Sequence, residues 1–137
     1  MKTALQKELA RIAPSIAIRT LWSHDEYCRD IRKDCDGFDN ENPEDWQAWQ
    51  SEVRATAIIA GEEVTGNAYL GGTWEKAGDD PEISNPDISG YENQMTREAL
   101  EELHDKTGET LTVEIEAALD YLKQTAEREY QAQRANA

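Results

Sequence analysis

Residues 53–74 read Val-Arg-Ala-Thr-Ala-Ile-Ile-Ala-Gly-Glu-Glu-Val-Thr-Gly-Asn-Ala-Tyr-Leu-Gly-Gly-Thr-Trp. Residue character changes with a period of two on either side of Gly61. That pattern predicts two strands, Val53–Ala60 and Val64–Trp74, closed as an antiparallel hairpin with Gly61 in the tight turn. In the second strand Val64, Gly66, Ala68, Leu70, Gly72 and Trp74 share one face; Thr65, Asn67, Tyr69 and Thr73 share the other. The small residues of the first face leave room for close approach, so a helix from one of the termini is expected against it.

Upstream, Ser15–Ser23 alternates Ile16, Ile18, Thr20 and Trp22 with polar residues and reads as a third strand. Before it, Lys2–Ala13 places Leu5, Leu9 and Ile12 on one helical face and is stopped by Pro14. Downstream, Ser89 and Glu92 have capping-box spacing, and Tyr91, Met95, Ala99 and Leu103 follow as a helical stripe ending at Gly108. Leu111, Ile115, Ala118, Leu119, Leu122 and Ala126 mark a last helix, with 131–137 expected to fray. The predicted fold is α+β, a three-stranded antiparallel sheet packed with an N-terminal helix and two C-terminal helices, in a single domain over residues 1–137. Trp22 and Trp74 are expected in the core. Trp46 and Trp49 either share a helical turn or open a strand. Residues 24–45, with a short helical turn around 25–33, and the acidic stretch 77–90 are the connections.

Charge carries the functional information. The chain has net charge −15. Residues 1–24 are basic, with Lys2, Lys7, Arg11 and Arg19 against Glu8 alone. Residues 25–96 hold 18 Asp and Glu against Arg29, Arg32, Lys33, Arg54 and Lys76. Such a surface attracts basic partners over a Debye length and repels nucleic acid and anionic lipid. No apolar run is long enough to span a membrane, and Met1–Arg11 lacks the apolar core of a signal peptide, so a cytoplasmic protein is expected.

The chemical motifs are sparse. His24, Cys28 and Cys35 supply three zinc-type ligands without knuckle spacing, and reduced free thiols are the simpler reading. The stretch Asp34-Cys-Asp36-Gly37-Phe38-Asp39 departs from a calcium loop, with Phe38 where the third acid belongs and Gly too early. His24 near Cys28 has no accompanying oxyanion element, His104 falls in the last turn of a helix, and no phosphate-cradling Gly-Lys motif exists. No enzyme activity and no cofactor are expected.

An array of fixed carboxylates can imitate the phosphates of a duplex, which carries about one charge per 1.7 Å of axis. The expected partner-binding residues are Asp34, Asp36, Asp39, Glu41, Glu44, Asp45, Trp46 and Trp49, together with Asp79, Asp80, Glu82 and Asp87. In size, charge and lack of catalytic motifs, the chain resembles the small acidic inhibitors that phages and mobile elements direct against host defence, the anti-CRISPR and antirestriction proteins. The stretches Trp49-Gln-Ser-Glu-Val-Arg-Ala-Thr-Ala, Tyr69-Leu-Gly-Gly-Thr-Trp-Glu and Ser89-Gly-Tyr-Glu-Asn-Gln-Met95 add a likeness to phage proteins. No family motif is matched, so no functional residue is carried over. The resemblance implies an inhibitor in the host bacterial cytoplasm whose partner is a basic nucleic-acid-binding protein, a CRISPR effector or a restriction enzyme; a homodimer stays open. Two alternatives are an adaptor using Trp46 and Trp49, and a metal-dependent enzyme or regulator using His24, Cys28 and Cys35.

Overall fold

The structure is a computed structural model, and it describes residues 2–136. Strands β1 (Ala17–His24), β2 (Trp46–Ile59) and β3 (Glu62–Lys76) form one antiparallel sheet in that order. Ala60 and Gly61 make the two-residue hairpin turn, both at positive φ (53° and 82°), as a type I′ turn requires. Strand β2 starts at Trp46, seven residues before the expected Val53, because Trp49–Thr56 pairs with β1 while Trp46–Ile59 pairs with β3. The choice left open for Trp46 and Trp49 thus falls to strand.

The alternation of β3 breaks once. Trp49 pairs with Thr73 but Ser51 pairs with Leu70, so β3 carries an extra residue at Gly71–Gly72, and Gly72 sits at φ 67°. A bulge of this kind turns every later side chain to the opposite face. Trp74, expected in the core with Leu70, therefore pairs with Ala48 on the face away from the long helices, and Thr73 becomes buried instead. The bulge is held by Asp25, whose Oδ2 accepts the Gly72 N–H at 2.7 Å.

Helix α1 (Ala4–Ile12) has an N-terminal capping box that sequence reading missed: Thr3 Oγ1 accepts from the Gln6 amide, and Gln6 Oε1 accepts from the Thr3 amide. Gln6 is buried and donates to Thr20 Oγ1 at 2.8 Å, tying the helix to β1. Two single-turn helices, α2 (Ile31–Asp34) and α3 (Pro81–Ser84), lie in the stretches read as connections. Helix α4 (Glu92–Thr107) covers β3 and β2, and α5 (Thr112–Ala135) packs on α4 and α1. The core joins Leu9, Ile18, Val53 and Ala55 to Met95, Ala99, Leu103, Ile115 and Leu122, as the helical stripes required, with Trp22 half-buried at its edge. The segment expected to fray is helical to Ala135, with its side chains exposed.

The Ser89–Glu92 capping box is not formed. Tyr91 occupies the N-cap position without a side-chain bond, and Ser89 is engaged by Asn85 instead. Asn85 Oδ1 accepts the Ser89 N–H at 2.6 Å and its Nδ2 donates to Ser89 Oγ at 2.9 Å. This clamp holds Ile88 and Ser89 at φ 53° and 55°. A β-branched residue there is strained, and full burial of the Ile88 side chain offsets the strain.

Candidate functional site

Two of the acidic stretches meet at one end of the sheet. The chain leaving β1 at His24 and the chain leaving β3 at Lys76 flank the start of β2. Backbone bonds from Ala77 N–H to Asp45 O (2.9 Å) and from Asp25 N–H to Ala48 O (3.0 Å) fasten them there. Asp34, Asp36, Asp39, Glu41, Glu44, Asp45, Asp79 and Asp80 are all exposed around this end, and Glu82 is half-exposed. The carboxylates of Asp36, Asp39, Glu44, Asp45 and Asp79 have no hydrogen-bond or ion-pair partner among the described residues. Others are used locally. Asp34 accepts from the Arg29 and Asp30 amides, Asp80 caps α3 through the Glu82 amide, and Glu41 accepts from Trp46 Nε1 at 3.1 Å. Asp34 thus staples α2 and does not serve a cation loop. Two nearby bases are also occupied: Arg32 pairs with Asp30 at 2.9 Å, and Lys76 lies 4.7 Å from the centre of the Trp46 ring. Asp87 stands apart, in the turn before α4.

Trp46 and Trp49 lie three apart on a strand and face opposite sides of the sheet. Trp46 is half-buried under Phe38, edge-on at 5.3 Å. Trp49 stacks on His24 at 4.5 Å, and its indole Nε1 is buried without an acceptor among the described residues. The two indoles do not form one surface. Among the described residues no three His, Cys, Asp or Glu side chains converge as metal ligands. Cys28 and Cys35 are free thiols. Burial, reinforced by Asp25 and Asp34, pushes the Cys28 thiol up, the opposite of an activated nucleophile. His104 contacts Thr112 Oγ1 at 3.3 Å, across the turn from α4 to α5.

A second feature gave no signal in the sequence. A groove of about 580 Å³ runs between α1, β1, the 86–93 turn and α5. Glu92, only 8% exposed, lines it, and its Oε2 has no hydrogen-bond partner among the described residues. Beside it Asn93 donates from Nδ2 to Leu122 O at 2.9 Å and leaves its Oδ1 buried and unpaired. An orphaned buried acceptor costs on the order of 1–3 kcal/mol. Burial raises the Glu92 carboxyl above its ordinary value, the Thr3 hydroxyl opposes this, and Asp87 and Glu129 add to it. Such a group contributes stability below the unfolded-state value that is lost as pH rises through the raised folded-state value. Glu92→Gln is therefore expected to stabilise the protein at pH 7, with the difference vanishing as pH falls below the ordinary carboxylate range of about 4. Urea unfolding of both proteins at the two pH values measures this; equal stability at pH 7 would show that the carboxylate is satisfied.

Comparison with family models, with curated proteins and with solved structures gives no match.

Proposed function

We propose that the protein is an inhibitory binding protein that imitates nucleic acid and occupies the basic DNA- or RNA-binding surface of a host defence nuclease or effector complex, in the host cytoplasm. The observation that carries this reading is the meeting of loops 34–45 and 77–82 at one end of the sheet on a hydrogen-bonded support, where the carboxylates of Asp36, Asp39, Glu44, Asp45 and Asp79 have no partner among the described residues. Charges fixed before binding need no ordering on contact, and a one-signed surface speeds encounter with a basic channel. The opposed placement of Trp46 and Trp49 favours this reading over an adaptor built on a paired indole surface. No described helix is long and apolar enough to cross a membrane.

The protein itself is expected not to shift duplex DNA at ~0.15 M salt, because it offers no clustered cations to release counterions. A gel shift at micromolar protein would contradict this and direct attention to Lys2, Lys7, Arg11 and Arg19. Immobilised protein is expected to retain a nucleic-acid-binding protein from bacterial lysate and to release it below ~0.5 M salt. Retention that is indifferent to salt would point to an apolar interface instead.

A further inference from the structure

The groove between α1, β1, the 86–93 turn and α5 is lined by Glu92 and Asn93, and each of these carries a buried oxygen, Glu92 Oε2 and Asn93 Oδ1, without a hydrogen-bond partner among the described residues. The Asn93 amide is oriented by its bond to Leu122 O, so the oxygen is the atom left over. An occupant must supply N–H or O–H donors. The lining adds Asp87 and Glu129 to Glu92, against Lys2 as the one cation among the described lining residues. That balance favours a cationic donor over a neutral one. The indole of Trp22 and the phenol of Tyr121 also line the space, beside Ala4 and Leu5, and the volume of about 580 Å³ suits an organic group.

We propose that this groove binds the alkylguanidinium or alkylammonium group of an organic cation, with Glu92 and Asn93 accepting its N–H bonds and Trp22 and Tyr121 packing against its alkyl part. The chemistry is shared by a free metabolite amine and by an Arg or Lys side chain of a protein. The proposal does not depend on nucleic-acid mimicry, since the groove is built from residues outside the acidic loops other than Glu82 and Asp87.

The test is an amide NMR titration of the full chain with agmatine and, separately, with the blocked pentapeptide Gly-Gly-Arg-Gly-Gly. The same peptide with norleucine in place of arginine is the neutral control. Saturable shifts are expected at Trp22, Glu92, Asn93 and Thr125. Glu92→Gln is expected to weaken binding about tenfold or more, while joint neutralisation of Asp36, Asp39, Glu44 and Asp45 changes it less than about threefold. Should Glu92→Gln disturb the fold, Asn93→Ser replaces it with the same expected direction. Agmatine binding as tightly as the arginine peptide assigns the site to a free amine; a peptide about tenfold tighter assigns it to a protein side chain. The proposal is overturned if neither cation saturates by ~10 mM, as when water alone fills the groove. It is equally overturned if norleucine binds as well as arginine, or if the variants at Glu92 and Asn93 bind unchanged.

Discussion

Gly66→Ala is expected to destabilise the protein by about 3 kcal/mol and to lower its Tm by ~10–15 °C. A Cβ at this position would stand 2.1 Å from Ala99 O and 2.5 Å from Leu103 N. Both are backbone atoms of α4, so no rotamer change relieves the clash. The helix must lift from the sheet, and Ala68, Ala99 and Leu103 would lose packing together. Gly71→Ala is the internal comparison. There the nearest atom, at 2.9 Å, is Asp25 Oδ2, at the end of a side chain that can turn away at the cost of its bond to Gly72. Thermal and urea unfolding of the two variants should rank Gly66→Ala well below Gly71→Ala. A loss under about 1 kcal/mol at Gly66 would mean that α4 is not seated on β3 as described.

The same glycine explains why much of the fold was legible. A face of Val64, Gly66, Ala68 and Leu70 is too shallow to be a finished core surface, so a closely packed helix was required, and the stripe Met95, Ala99 and Leu103 supplies it. The departures come from interactions that local pattern does not encode. Trp74 changes face because one extra residue at Gly71–Gly72 shifts the register, and the group that holds it, Asp25, lies 47 positions away in the chain. Ser89 and Glu92 have the spacing of a capping box. Asn85 takes the serine, and the positive φ at Ile88 and Ser89 precludes the N-cap geometry. The acidic loops were readable as charge, but their meeting depends on the pairing of β2 with both neighbours. The groove was not readable at all, since Glu92 looks like any first-turn acid until α1 and α5 close over it.

Joint neutralisation of Asp34, Asp36, Asp39, Glu41, Glu44 and Asp45 to Asn or Gln is expected to weaken partner binding by orders of magnitude, chiefly through slower association. Any one of these changes alone should be nearly silent, because exposed carboxylates act collectively through the field they share. Neutralising Asp79, Asp80 and Glu82 should act in the same direction, since that segment is fastened beside the first loop by the Ala77–Asp45 bond. Asp87, which lines the groove, should contribute least. Asp34 and Asp80 also cap backbone amides, so circular dichroism must show that each variant keeps its fold. If both loop variants bind like the parent while Trp46→Ala or Trp49→Ala abolishes binding, the adaptor reading replaces mimicry.

The central claim is tested most directly by competition on the partner that the immobilised protein retains. Nucleic-acid mimicry predicts that this protein and the partner's own nucleic acid exclude one another. The apparent Kd for the protein should rise in proportion to added nucleic acid, and the affinity should fall steeply between ~0.05 and ~0.2 M salt. A stable ternary complex of partner, nucleic acid and this protein, with an affinity flat across that salt range, would contradict it.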